Sequence, residues 1–335
     1  MPSLQRPGRL RMKGMDVVAI IGAVAAFVVA FLLALLVRLF ARPLRLVAAA
    51  NARSSHEGET PTGGGLGIVV ALLAWFALAA RFGEGTPAST LLVSGIVVAI
   101  IGLLDDLEDQ SRTLRLVCQL AAAGICVAWL FHTSLWFDLA LILLAVWFVN
   151  LYNFMDGIDG LAASQGAAFA LGVLVMGYAN LASGTPLVLL GACAGFLCLN
   201  WAPARVFMGD VCSGFLGLVV FVLALWLHAT GEVHVAASAI VLAVFWFDAT
   251  WTLCVRIVTG QRFMEAHRSH LYQIISRRLG HGATTGLFWA YWALWLLPLA
   301  WAVGAWPELA PAFVALACIP LAIASVRLRA GRDNG

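Results

Sequence analysis

The stretch Val146–Ser164, VWFVNLYNFMDGIDGLAAS, begins and ends in residues suited to lipid, yet its middle carries Asn150, Asn153, Asp156 and Asp159. Polar and ionisable groups at membrane depth are costly, so they face the protein interior or a water-filled cavity and mark a functional site by default. The surrounding chain decides that this is a membrane segment. Hydrophobic residues make up 62% of the 335 and charged residues 11%, about half the charged share of a soluble protein. The expected fold is all-α: one polytopic integral membrane catalytic domain over residues 1–335.

Apolar runs of about 17 to 23 residues are long enough to cross a bilayer as helices. They fall near 16–37, 65–81, 89–104, 114–131, 135–151, 160–180, 186–200, 212–229, 235–256, 284–303 and 309–326, which makes eleven spans. Arg6, Arg9, Arg11 and Lys13 ahead of the first run imitate a secretory signal. The run Val17–Val37 is longer than a signal's apolar region and no small-x-small cleavage pattern follows it, so it reads as a span. The seven cysteines contain no C-x-x-C pair and sit mostly in apolar runs, where they read as small core residues. A net charge of +3 is too small to suggest nucleic acid.

With arginines at span ends assigned to the nearer connection, one set, Leu39–Gly64, Asp105–Thr113, Tyr152–Asp159, Trp201–Val211, Ile257–Ala283 and the C-terminal tail, carries 15 of the 20 Lys+Arg residues. The positive-inside rule therefore places this set in the cytoplasm and the N-terminus outside, with the basic N-terminus as the one feature against it. The same partition gathers Asp105, Asp106, Glu108, Asp109, Asp156, Asp159, Asp210 and Glu265 on the cytoplasmic side. Acids played no part in the span count, so their convergence on one membrane face is an independent signal of a site.

Four clusters carry the chemistry. In GLLDDLEDQSRT the adjacent carboxylates of Asp105 and Asp106 repel unless a cation lies between them, which favours a divalent metal or proton transfer. In NLYNFMDGIDGL the interval of three between Asn153, Asp156 and Asp159 predicts one polar helix face, with Gly157 and Gly160 allowing close approach. In NWAPARVFMGD, Pro203 and Gly209 break the helix and leave Asp210 on a turn or a helix start, suited to an ion or phosphate. In RIVTGQRFMEAHRSHLYQIISRR the pair His267 and His270, spaced i to i+3, with Arg256, Arg262 and Arg268, suits phosphate; Arg277 and Arg278 read as interfacial. NARSSHEGETPTGGG adds Arg53, His56 and a glycine run that can be a tight re-entry into the second span. Asp248, deep within a span, is expected to pair with a polar neighbour; contact with substrate is open. His132, His228, His234 and His281 read as solvated residues.

Carboxylates facing arginines and histidines at a membrane surface fit a reaction between two phosphates bridged by a hard cation. In this order and on one face, DDLED, NFMDGIDGL, NWAPARVFMGD and HRSH resemble the polyprenyl-phosphate N-acetylhexosamine-1-phosphate transferases, over nearly the whole chain. That resemblance implies transfer of a sugar 1-phosphate from a UDP-sugar to undecaprenyl phosphate, with release of UMP, at the cytoplasmic face of the bacterial inner membrane. It implies Mg2+, or Mn2+ in its place, with Asp210 as a metal ligand and Asp105 as the base that deprotonates the lipid phosphate. Asp106, Asp156 and Asp159 would surround metal and nucleotide, Asp106 also as a ligand. Asn200 would lie near the uridine and His267 and His270 on the diphosphate. Asn153, Arg53, His56, Arg262, Arg268 and Asp248 complete the expected substrate contacts.

Departures from the family pattern narrow the substrate. Asp109 and HRSH stand where the phospho-muramyl-pentapeptide branch has Lys and three histidines. HRSHLYQ looks most like the group that starts O-antigen or other surface glycans with an N-acetylated amino sugar, GlcNAc or a 6-deoxy one such as N-acetylfucosamine or N-acetylquinovosamine. Cys212 replaces a Gly usual after MGD, which questions the backbone beside Asp210. The rival readings are an intramembrane prenyltransferase, for which Asp156 and Asp159 have the wrong spacing, and a secondary transporter, whose site would lie near the midplane between repeats. The oligomeric state stays open, a homodimer included.

Overall fold

A computed structural model describes residues 12–44, 46–48, 60–82, 85–176, 184–262 and 267–332. The helices are α1 (Met12–Phe40), α2 (Leu66–Phe82), α3 (Gly85–Leu107), α4 (Arg112–Cys126), α5 (Leu135–Phe154), α6 (Leu161–Val175), α7 (Thr185–Asn200) and α8 (Asp210–Ala229). They continue as α9 (Val235–Val241), α10 (Ala243–Val258), α11 (Leu271–Leu279), α12 (His281–Tyr291), α13 (Leu297–Ala305) and α14 (Ala310–Arg327). Short π-helical turns, Val127–Phe131 and Trp292–Leu296, extend α4 and join α12 to α13. A two-residue antiparallel ladder pairs Val47–Ala48 with Thr60–Pro61.

Over the described residues each expected apolar run is largely helical, and the protein is an all-α polytopic membrane protein. Among the described residues, seven helices are long and apolar enough to cross a membrane unaided; α2, α6 and α7 are shorter. The run near 235–256 is not one straight span: α9 and α10 meet at Leu242 with a bend of 75°. Leu242 has φ −91° and ψ 4°, so the helical hydrogen-bond ladder is broken there without a proline or glycine.

Burial separates the helices into an inner and an outer set. Nearly all of α6 and most of α8 are buried, including Phe169, Phe215 and Leu216, whereas α1 exposes Val17, Ile20, Ile21 and Val24. Inner helices are apolar all round because protein covers every face, and outer ones because lipid does. Small residues set the closest approaches: Gly191 and Gly195 of α7 lie against the α1 backbone at Ala23 and Phe27. Gly102 of α3 lies on the Asp210 carbonyl. That contact brings the end of α3 against the start of α8.

Candidate active site

The junction of α3 and α8 organises the carboxylates. Gly209, at φ 82° and ψ 162°, ends the preceding loop and lets α8 begin at Asp210. Asp106 caps that helix from the neighbouring element: its Oδ1 accepts from the Asp210 N–H at 2.9 Å and its Oδ2 from the Val211 N–H at 2.9 Å. A Cβ on Gly209 would stand 2.6 Å from Asp106 Oδ2 and 2.7 Å from the Gly63 nitrogen, so no other residue fits both the φ and the space. The glycine run supplies the next layer. Gly64 and Gly65 donate to the carbonyls of Phe207 and Met208, both at 2.9 Å, as the chain enters α2. Cys212 is fully buried beside Gly65, within the helix that begins at Asp210; the bulk it adds is met by the absence of a side chain at Gly65.

Asp105 is held differently. Its Oδ2 lies 2.5 Å from Arg115 Nη1, its Oδ1 accepts the Gln110 N–H at 2.8 Å, and its side chain is 8% exposed. The same Arg115 nitrogen is 3.7 Å from Asp210 Oδ2, and Asn153, near the end of α5, faces the Asp210 carboxyl. Sequence reasoning assigned Arg115 no role. Its signal was an arginine one turn inside α4, three residues after Arg112, in a helix that Ser111 caps by accepting the Leu114 N–H.

Asp156 and Asp159 do not share a helix face with Asn153, contrary to the spacing argument. Helix α5 ends at Phe154, and residues 155–160 form an irregular link that Gly160, at φ 75°, closes into α6. Gly157 receives the Tyr272 phenol in the space a side chain would fill, and that hydroxyl donates to the Phe154 carbonyl at 2.9 Å. Asp156 faces Asp210 and Asp106. Withdrawal from bulk water, reinforced by Asp210, Asp106 and Asp159, pushes its carboxyl well above the usual range. Asp159 is turned towards the protein: Oδ2 accepts the Ala204 N–H at 2.9 Å and Oδ1 lies 3.2 Å from His281 Nδ1. His281 is therefore no solvated histidine; its side chain is 15% exposed at the start of α12, against Asp159.

Two of the residues expected to touch substrate brace the backbone. Asn200 is buried, with Oδ1 accepting from the Gly160 N–H at 3.0 Å and Nδ2 donating to the Val206 carbonyl at 2.9 Å. Asp248 is buried at 1% exposure; Oδ1 accepts from the Leu271 N–H at 2.9 Å and the Thr252 hydroxyl at 3.1 Å, and Oδ2 from the Tyr272 N–H at 3.0 Å. It caps the N-terminus of α11, where a carboxylate is stabilised by the helix dipole.

That cap presents HRSH. His267 and His270 precede α11 instead of lying on a helix, but their rings stack at 5.0 Å and 26°. His270 is buried with Nδ1 3.5 Å from Asp248 Oδ1, and His267 meets Ser269 Oγ at 3.1 Å. Arg256 is buried beneath the loop and donates to Gln261 Oε1 at 3.0 Å, Ser269 Oγ at 3.3 Å and the Arg262 carbonyl at 3.2 Å. Arg262 and Arg268 are exposed. Arg53, His56 and Glu265 lie outside the described residues. The Tyr272 bond to Phe154 ties HRSH to the link that carries Asp156.

The carboxylates of Asp105, Asp106, Asp156 and Asp210 thus share one neighbourhood with Arg115, at the joined ends of α3, α5 and α8. Hard oxygen donors whose mutual repulsion a cation relieves are of the kind Mg2+ takes. Among the described residues no three acid, histidine or cysteine side chains form a closed metal cage; an ion completed by water and substrate oxygens needs no such cage.

Fold and site together define a multi-span membrane protein with an intramembrane-edge carboxylate centre and an adjoining histidine–arginine loop. Residues 88–228 match the pattern of glycosyl transferase family 4. The match runs from α3 to the end of α8 and stops before HRSH. Similar proteins include a probable undecaprenyl-phosphate N-acetylglucosaminyl 1-phosphate transferase of Bacillus subtilis, 28% identical over 66% of this chain and 66% of the relative. A decaprenyl-phosphate N-acetylglucosaminephosphotransferase of Mycobacterium leprae is 32% identical over 61% and 59%. A phospho-N-acetylmuramoyl-pentapeptide-transferase of Thermosynechococcus vestitus is 32% identical over 58% and 61%. The matched region spans about three fifths to two thirds of these relatives' length.

Proposed function

We propose that the protein is a phosphoglycosyl transferase that moves an N-acetylated amino-sugar 1-phosphate from a UDP-sugar to undecaprenyl phosphate, releasing UMP. An oxygen of the lipid phosphate becomes bonded to the β-phosphorus of the donor, and the bond from that phosphorus to UMP breaks. The convergence of Asp105, Asp106, Asp156 and Asp210 around Arg115, next to HRSH, carries this reading. The relatives' names support the reaction class.

Asp210 and Asp106 would hold Mg2+, with Asp156 beside them, and the ion when bound would neutralise phosphate charge and orient the two substrates. Asp105 accepts a proton from the lipid phosphate only after its guanidinium partner is drawn away. The arriving phosphate is itself the better bidentate partner for Arg115, so docking frees the base. His267, His270, Arg262 and Arg268 bind the donor diphosphate, and Asn153 holds the Asp210 carboxylate. Asn200, Asp248 and Asp159 keep the loops in place. The site faces the cytoplasm of the bacterial inner membrane, with the N-terminus outside and the C-terminus inside, and the product starts a surface glycan of the O-antigen kind.

The test is release of UMP from labelled UDP-sugars by the purified protein with undecaprenyl phosphate, with and without Mg2+. A panel of UDP-GlcNAc and 6-deoxy N-acetylated donors reads the sugar. Full activity of Asp210→Asn, or turnover that ignores the divalent ion, would refute the metal assignment.

A further inference from the structure

After α14 the chain turns back beneath the loop that joins α10 to α11. The Leu328 N–H closes on the Ala324 carbonyl and the Ala330 N–H on Ser325, each at 2.9 Å, and Arg329 and Gly331 then take φ of 57° and 82°. Ala330 and Gly331 are buried. The Gly331 N–H donates to the Ser269 carbonyl at 2.7 Å, and the Gly331 carbonyl accepts from Gln261 Nε2 at 3.2 Å. A Cβ on Gly331 would lie 2.7 Å from Val255 Cβ and 3.0 Å from the Thr252 carbonyl, so the segment is seated on α10 as closely as a glycine allows.

These contacts meet at Ser269, between His267 and His270. Its carbonyl is held by Gly331, and its hydroxyl by Arg256 and His267. Gln261, at the other end of the loop, joins the same network through Arg256 and Gly331. Residues far apart in sequence therefore fasten both ends of the segment that carries the histidines.

We propose that residues 328–332 are a strap that sets the position of HRSH, with Gly331 as its positioning residue. The consequence for turnover rests on the reading that His267 and His270 contact the donor diphosphate; the strap itself does not. Loss of a buried backbone hydrogen bond with its packing corresponds to about a tenfold change in a local opening equilibrium.

The experiment compares the full chain with a chain ending at Arg327, with Gly331→Ala, and with removal of residues 333–335. Hydrogen exchange at Gln261 and His267–Tyr272 is expected to quicken about tenfold in the first two variants, with exchange in α3 and α8 unchanged. Donor KM is expected to rise about tenfold with a smaller change in kcat, and removal of 333–335 to change neither. Unchanged exchange at His267–Tyr272 in both variants would overturn the strap, as would faster exchange throughout the protein in both. Exchange needs no substrate, so absence of UDP-sugar turnover in every form would sink the proposed reaction and leave the strap to be judged on exchange alone.

Discussion

Asp106 and Asp210 are both acids of the proposed metal centre, yet the structure gives them opposite consequences for stability. Asp106 accepts the first two N–H groups of α8 at 2.9 Å each, at a helix end where a negative charge also meets the dipole. Replacing it with alanine strands two donors at the start of a buried helix. Charge-assisted bonds of this kind contribute about 1.5–3 kcal/mol each, and relief of repulsion from Asp105 offsets part of the loss, so Asp106→Ala should cost about 2–4 kcal/mol. Asp106→Asn keeps one acceptor and turns an amide N–H2 towards the other donor, so its cost should be about half that. Asp210→Asn breaks no backbone bond and removes one of several crowded carboxylates, so its unfolding should stay within about 0.5 kcal/mol of the parent or improve. The assay is unfolding in mixed micelles, followed by tryptophan fluorescence, beside UMP release. Both substitutions should abolish turnover, and only the Asp106 variants should unfold early. If Asp106→Ala and Asp210→Asn unfold at the same denaturant concentration, the capping argument is wrong.

Arg115→Ala should lower kcat/KM for undecaprenyl phosphate about tenfold or more, a discounted value because the side chain is 35% exposed, while Arg115→Lys keeps part of the activity; equal loss in both would argue against a simple charge role. Gly157→Ala places a methyl on the Tyr272 hydroxyl, so Tyr272→Phe should partly rescue it, with a coupling of about 0.5 kcal/mol or more in a double-mutant cycle. The raised carboxyl of Asp156 binds its proton more tightly in the folded state. Without divalent ions its contribution is therefore present at pH below the usual carboxylate range and is lost as pH rises through the higher folded value. Melting of the metal-free protein should fall over that interval, less so for Asp156→Asn, and saturating Mg2+ should raise the parent's melting temperature at neutral pH; an identical pH profile in the variant would contradict this. Asp248→Ala should loosen α11 and raise donor KM more than it lowers kcat, and a change confined to kcat would count against a positioning role.

Span positions were readable from composition because a bilayer imposes both the length and the apolarity of a helix, whether lipid or protein covers it. The break at Leu242 was not, since neither Pro nor Gly marks it. The link at 155–160 was misread by giving the interval of three more weight than Gly157 and Gly160, which were the better local signal. Asp248 was readable as a buried acid needing a polar partner; that the partners are backbone N–H groups of α11, more than twenty residues on, was not.

By itself, the chain's order of residues determined a helical membrane protein with its acids gathered at one end of the spans, because periodicity, hydropathy and charge are local quantities. Tertiary structure alone decided which of those acids face one another, which cap helices and which are braced by Arg115 or His281. Those assignments depend on approaches between elements, such as Gly102 on Asp210 and Gly157 under Tyr272. A glycine in a sequence does not say which neighbour will occupy the space it leaves.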